Sequence, residues 1–296
     1  MTPALKDALR VLEQAVALSP RKNLLLEGRE VLAPQATRSL QQFVHSRFFC
    51  RRKGAVPPKG RASGDSAWVY ELSNAVRGAV AWEPGFKVTQ AGGTWVFVSN
   101  GRISLFLDEP GQVLPTPAKE GQAVSVRLPR LRENLHPYRM TVRGGRGGVS
   151  GAEPFSKLFV SVNQGGAVSW ARHLVSRGSE KLAFEAALVN APDDYDRLDT
   201  LVVDVPRRDE EAVTRWLREF ARTHVYTVRV GTPLFAAGLD VGISCAAGTL
   251  GPEDVADGYG KRQSGALADA VWEGVLAGEK TGDDWNARLM ASRRSN

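Results

Sequence analysis

The stretch from Pro154 to Asp204, PFSKLFVSVNQGGAVSWARHLVSRGSEKLAFEAALVNAPDDYDRLDTLVVDV, constrains the fold more than any other part of the chain. Its apolar runs are short and bounded by turn residues, and one has helical spacing, so it reads strand, helix, strand, loop, strand. In SKLFVSV alternate side chains face opposite ways: Lys157 shares a face with Phe159 and Ser161, while Leu158, Val160 and Val162 fill the other. A lysine on a central strand costs free energy unless it is paired or faces a polar cleft. Arg197 and Asp199 flank the start of the last run, where folding needs no exposed cation.

The C-terminal half continues this alternation. Strands are predicted at Lys157 to Val162, Leu182 to Val189 and Leu201 to Val205, with helices at Gly166 to Ser176 and Asp209 to Arg222. The second of these helices has Asp209, Glu210 and Glu211 in its first turn and Val213, Trp216, Leu217 and Phe220 on one face, which specifies both its polarity and its burial. Val225 to Val230 is expected to pair back into the sheet. After the Gly/Ala-rich loop LFAAGLDVGISCAAGTLGPEDVADGYG, helices follow around Ala266 to Leu276 and Trp285 to Ala291.

Ahead of that half, Thr2 as cap and Pro3 at the first helical position open a helix predicted to run to Leu18. A second amphipathic helix is predicted over Gln35 to Phe49, presenting Leu40, Phe43, Val44 and Phe48. The segment RRKGAVPPKGRASGDS lacks an apolar period and reads as a mobile basic linker, after which Asp65 or Ser66 caps a short helix through Ala75. From Trp82 to Val142 short strands alternate with turns, the clearest hairpin closing at Ser99-Asn100-Gly101, and AVSVRLP is a further strand. GGRGG, Gly144 to Gly148, reads as a flexible inter-domain loop in preference to a fragment of an RNA-binding arm. The expected fold class is α+β: N-terminal helices, then a mixed or antiparallel sheet region with helices packed on it. Its segments are a helical region (1–52), a basic Pro/Gly linker (53–65), a β-rich part (66–150) and an α/β part carrying the candidate site (151–296).

Length and charge narrow the function. A chain of 296 residues buries enough surface to need no disulfide or metal, and its two cysteines, Cys50 and Cys245, have no ligand spacing. The N-terminus has no uninterrupted apolar core, so a cytoplasmic protein without membrane attachment is expected. A net charge of +7 with a pI near 9.6 favours an anionic partner without choosing among nucleic acid, a phosphorylated ligand and an acidic peptide. There is no Walker loop, dinucleotide fingerprint, nucleophile elbow or zincin motif, and the four histidines are scattered. What remains is a set of cations from separated segments, Lys157, Arg197 and Arg262, the last at a helix start in GYGKRQSG with Lys261 beside it. Either they converge on one phosphate, or each is a surface or salt-bridged residue.

The motifs LSNAVRGAVAWEPGFKV, GQAVSVRLPRLRENLHPYRM, PFSKLFVSV, FEAALVNAPDDYDRLDTLVVDVP, TPLFAAGLDVGIS and GYGKRQSGALADAVWEG occur in that order. Over about Leu40 to Gly274 the chain resembles the HopA-type effector family, which includes dehydration partners in the biosynthesis of ribosomally made peptides and is distantly similar to the OspF-type phosphothreonine lyases. The resemblance implies a phosphothreonine lyase-like fold and elimination of phosphate from a phosphorylated precursor peptide, in class V lanthipeptide or thioamide-peptide pathways. It leaves dehydroalanine or dehydrobutyrine, and a kinase resembling aminoglycoside phosphotransferases is the expected partner. It implies no cofactor and no metal. Such an elimination needs a base for the Cα proton and cations for the departing phosphate.

Carried over by position, Lys157 matches the signature-strand lysine, Arg197 the arginine expected on phosphate, and Arg262 the arginine of the C-terminal glycine-aromatic-glycine motif, with Asp199, Lys181 and Lys261 as supporting residues. Two positions depart from the pattern. The expected base lysine is Ala187, and the expected proton donor is Phe159. Three readings stay open for Ala187: an engineered lysine-to-alanine replacement, a base supplied from elsewhere such as Lys181, or a non-catalytic subunit that presents peptide to its kinase. Nucleic-acid binding rests only on charge, the basic linker and GGRGG, without aromatic stacking motifs.

Overall fold

In a computed structural model of the chain, residues 2–50, 65–101, 103–107, 110–136, 138–149, 153–246, 250–251, 254 and 258–294 are described. The basic 53–65 linker lies outside them except for Asp65, whose side chain accepts the Trp68 N–H at 2.9 Å.

The N-terminal cap forms as the sequence predicts: Thr2 accepts the Leu5 N–H, and helix α1 (Pro3–Ala15) buries Leu5, Ala8, Leu9 and Leu12. It ends before the predicted Leu18. Ser19 Oγ accepts the backbone N–H groups of Arg21 and Asn23 at 3.2 and 3.1 Å, turning the chain back so that β1 (Val16–Leu18) pairs with β2 (Leu24–Leu26). β3 (Arg29–Val31) completes this small sheet. Helix α2 (Ala36–Val44) is continued by a wide turn, His45–Phe49, closed by Cys50 N–H donating to the His45 carbonyl at 2.8 Å. The predicted straight helix to Phe49 thus becomes a helix and a turn, and the turn directs Phe49 into the core.

Helix α3 (Ser66–Val76) leads into a five-stranded antiparallel sheet of β4 (Val80–Ala91), β5 (Val96–Ser99), β6 (Ser104–Leu107), β7 (Val113–Leu114) and β8 (Ala123–Pro129), ordered β6-β5-β4-β8-β7. The Asn100-Gly101 hairpin is present, with Gly101 at φ 81°. β9 (Leu131–His136), β10 (Arg139–Arg143), β11 (Phe155–Val160), helix α4 (Ala167–Leu174), β12 (Glu185–Val189), β13 (Leu201–Pro206), helix α5 (Glu210–Thr223), β14 (Ala236–Asp240) and β15 (Ile243–Ala246) follow. They build a seven-stranded sheet ordered β14-β15-β11-β13-β12-β10-β9, in which every pairing is antiparallel. Helices α6 (Gly258–Leu276) and α7 (Gly282–Arg294) close the chain. The architecture is α+β.

The large sheet lies between two apolar layers. Leu158, Val160, Ala186, Leu188, Leu201 and Val203 pack with α3, α4 and α5 on one face. Phe159 and Val202 pack on the other with α1, α2, α6 and α7, so residues from both ends of the chain share one core. Each buried aliphatic side chain contributes about 1.5–3 kcal/mol, and β11 and β13 are buried along their whole length. That double burial explains why both read as nearly continuous apolar runs.

Three expectations in this half need correction. Val225 to Val230 does not become a strand: Val225–Thr227 is a short turn, and Val228 makes one isolated bridge with Val162. Thr227 explains it, donating to the His224 carbonyl at 2.7 Å and accepting from Trp170 Nε1 at 3.0 Å. The β14–β15 hairpin, read as loop because of its Gly and Ala content, pairs with β11 instead. The GGRGG segment is likewise docked, not loose. Gly144 and Gly145 donate to the carbonyls of Phe184 and Ser179 at 2.8 and 3.0 Å, and a Cβ at Gly144 or Gly145 would lie 2.3 Å from a backbone oxygen of Leu182 or Glu180.

Candidate functional site

The awkward lysine of β11 is paired. Lys157 stands directly opposite Asp204 of β13, both are buried, and Lys157 Nζ donates to Asp204 Oδ1. Across the sheet, Asp204 is also opposite Glu185 of β12, and Glu185 is opposite Arg143 of β10. One rung of the sheet therefore reads Lys157, Asp204, Glu185, Arg143. Arg143 donates to Glu185 at 3.1 Å and to Glu83 of β4 at 2.8 Å, and Glu83 also accepts from Arg132, so this row fastens the large sheet to the five-stranded one. Buried charges of this kind are retained only when paired and hydrogen-bonded.

The next rung on the same face is Phe159, Val202, Ala187 and Thr141. Phe159 is enclosed by aromatic rings, with Phe49 edge-on at 5.6 Å and Tyr259 at 5.9 Å. The Tyr259 hydroxyl donates to the Phe235 carbonyl at 2.7 Å. Ala187 is buried, and the Thr141 hydroxyl opposite it is buried with no hydrogen-bond partner among the described residues. Such an unsatisfied hydroxyl costs roughly 1–3 kcal/mol.

Beyond this rung lies a compact charged cluster. Asp199 takes a two-point contact from Arg197, Nε to Oδ1 at 2.9 Å and Nη2 to Oδ2 at 2.6 Å, and a further bond from Arg139 Nη2 to Oδ2 at 2.9 Å. Arg139 Nη1 also donates to the carbonyls of Asp199 at 2.9 Å and Ala187 at 3.2 Å. Burial alone would raise the Asp199 pKa, but Arg197 and then Arg139 outweigh it and hold the carboxyl well below the usual carboxylate range, with His45 adding to the effect. Two guanidiniums thus meet on one carboxylate. The Arg197 side chain keeps 14% of its surface exposed, against 2% for Arg139.

The remaining expected residues are more dispersed. Arg262 lies in α6 and makes a two-point contact with the buried Asp254, 2.7 Å on each oxygen, while 41% of its side chain is exposed. Lys261 is exposed and its carbonyl accepts from Gln41 Nε2 at 2.9 Å. Lys181 is exposed in the turn Arg177–Lys181 that precedes β12. Lys157, Arg197 and Arg262 thus each close on a carboxylate of their own. What links their segments is the aromatic group at Phe159: Tyr259 stands one helical turn before Arg262, and Cys50, next to Phe49, accepts the Leu198 N–H at 2.8 Å.

Sequence reasoning missed Arg139, Asp204 and Asp254. Asp204 carried a signal, as the lone carboxylate inside LVVDVP. Arg139 carried none, because its partner is 60 residues away in sequence.

A family model described as the HopA1 effector protein family matches residues 131–291. Among solved structures, the chain is similar to an effector protein from Pseudomonas syringae pv. tomato strain DC3000, with 12% identity and a TM-score of 0.40 over 85% of this chain and 98% of that one. It is also similar to an effector protein from Pseudomonas syringae pv. syringae strain 61, with 10% identity and a TM-score of 0.39 over 84% of this chain and 96% of that one. No curated protein matches the chain. Among the described residues no helix is long and apolar enough to cross a membrane.

Proposed function

The chain belongs to the HopA1 effector protein family, and from that membership we propose that it acts on phosphorylated serine or threonine of a precursor peptide, as a lyase that expels phosphate to leave a dehydroamino acid. The observation that carries this reading is the Arg139–Asp199–Arg197 cluster. It places the partly exposed Arg197 guanidinium at the end of the sheet, and through Arg139 it is bonded to the backbone of residue 187. A departing phosphate would be held by Arg197, with Arg139 and Asp199 fixing that guanidinium in one orientation. Lys157 and Phe159 lie on neighbouring rungs of the same sheet face.

A base is still required, and the side chain at 187 has no group that accepts a proton. A lysine there would enter beside the Thr141 hydroxyl in a buried setting, where desolvation and nearby arginines depress a lysine pKa toward the range a base needs. The chain and its Ala187→Lys variant, incubated with a phosphoserine peptide, test the reading by mass spectrometry. Loss of one phosphoric acid supports it, and loss of phosphate with the hydroxyl restored identifies a phosphatase and rejects it.

Ala187 itself favours a second reading, a non-catalytic subunit that binds the peptide and an aminoglycoside-phosphotransferase-like kinase. That reading predicts co-purification with the kinase and no elimination even with lysine at 187.

A further inference from the structure

The segment Val225 to Val230, which does not become a strand, delivers an arginine to the loop that carries Arg197. The Arg229 N–H donates to the Ser161 carbonyl at 2.7 Å, and the Ser161 N–H to the Gly242 carbonyl at 2.8 Å, so Arg229 is anchored at the end of β11 and the β14–β15 turn. Its half-buried guanidinium reaches two successive carbonyls, Nη1 donating to Asp196 at 2.8 Å and Nη2 to Arg197. Those carbonyls belong to the two peptide groups that meet at the Arg197 Cα. The rest of the loop backbone is held as well. Arg197 N–H donates to the Asp194 carbonyl at 3.3 Å, Leu198 N–H to the Cys50 carbonyl at 2.8 Å, and Ser161 Oγ to the Leu198 carbonyl at 2.6 Å. From the Asp196 carbonyl to the Leu198 carbonyl, every backbone donor and acceptor is therefore bonded. Burial pulls the Arg229 pKa below its ordinary value against the attraction of Asp196, so holding this cation in place costs solvation free energy.

We infer that Arg229 is a positioning residue for the anion site: by fixing both peptide planes that meet at Arg197, it sets the direction in which that side chain leaves the loop. This rests on the reading that Arg197 receives phosphate. Peptide groups are planar, so holding the two on either side of one Cα fixes the φ and ψ of that residue. The far end of the Arg197 side chain is aligned separately, by its two bonds to Asp199. Arg229 thus acts on the backbone and Asp199 on the guanidinium, which leaves Arg197 little conformational freedom to lose when an anion binds. Arg229 works through Arg197, because its own bonds go to backbone carbonyls. The planar fork of a guanidinium suits this task, since it spans two carbonyls at once. A lysine would keep the charge without the fork.

The test uses the whole chain with Arg229→Lys and Arg229→Gln. Inorganic phosphate is titrated by calorimetry at constant ionic strength, and the urea midpoint is measured alongside. Both variants are expected to bind phosphate about tenfold more weakly, the lysine variant included although it keeps the charge. The Arg197 Nε–H signal in NMR, identified by its absence in Arg197→Gln, reads the positioning without ligand. It should be sharp and slow to exchange with water in the parent, and broader and faster to exchange in the variants. A purely structural role would lower the urea midpoint and leave the Arg197 signal and the phosphate affinity of the folded variant unchanged, and that result overturns the inference. Full affinity in Arg229→Lys overturns it too, and this variant decides alone if Arg229→Gln does not fold. A parent that binds no phosphate rejects the anion reading and the inference with it. Phosphate binding weakened in both variants, with no elimination from a phosphoserine peptide, removes the lyase and keeps the inference. Elimination by the parent with phosphate affinity unaffected in both variants does the reverse.

Discussion

Arg139 donates from Nη1 to the Ala187 carbonyl at 3.2 Å and from Nη2 to Asp199 at 2.9 Å, so one buried guanidinium joins the centre of the sheet to the charged cluster at its end. Replacing it with glutamine removes one of the two guanidiniums on Asp199 and one donor from the carbonyls of Ala187 and Asp199. Arg139→Gln is expected to lose about 3 kcal/mol of stability, read from the urea midpoint. Arg197→Gln, at the more exposed of the two arginines, should cost less stability and weaken phosphate binding more. The reverse ranking would place the ligand-facing role on Arg139.

Lys157 and Asp204 face each other inside the sheet, and the loss of either takes the opposite charge away from the other. Lys157→Met should destabilise by about 3–5 kcal/mol, whereas Lys157→Met combined with Asp204→Leu should recover most of that. Chemical denaturation of the two variants checks it. A single variant as stable as the parent would mean that the pair is solvated.

His173 is sandwiched between Trp216 at 4.1 Å and Phe220 at 4.0 Å, and desolvation pushes its pKa down to about 4. The unfolded chain, with an ordinary imidazole near 6.5, binds the extra proton more readily between these values. Stability from this group is therefore complete above about pH 6.5 and is lost as pH falls toward about 4, by on the order of 2 kcal/mol after allowing for its partial exposure. His173→Phe should flatten that part of the stability–pH curve, measured by denaturation between about pH 7 and about pH 4, because the variant takes up one proton fewer on unfolding.

Gly145 has no room for a side chain, since a Cβ there would sit 2.3 Å from the Glu180 carbonyl oxygen. Gly145→Ala is expected to destabilise by about 1–3 kcal/mol and to speed amide exchange at Phe184, whose N–H donates to the Gly147 carbonyl. Gly111, with nothing near its added Cβ, is the control and should tolerate alanine.

Local chemistry was readable in advance. The Thr2 and Asp65 caps, the Asn100-Gly101 hairpin and the two-faced α5 follow from side chains that act on their own neighbours. The β14–β15 hairpin was not, because Gly238, Gly242 and several alanines weaken the strand signal, and only pairing with β11 makes those residues a strand. The docked GGRGG turn was hidden for the same reason: its order comes from Phe184 and Ser179, which lie far along the chain.

By itself, the sequence determined which segments are strands and helices in most of the chain, that a lysine sits on an apolar strand, and that residue 187 has no base. Only the tertiary structure decided what those charges meet. Strand register set Lys157 against Asp204, sheet order brought Arg139 to Asp199, and the turn after α2 set the Cys50 carbonyl against the Leu198 N–H. The division has a physical cause. Periodicity and capping are set by residues within a helical turn, whereas an ion pair in a sheet depends on register between strands that the sequence places dozens of residues apart.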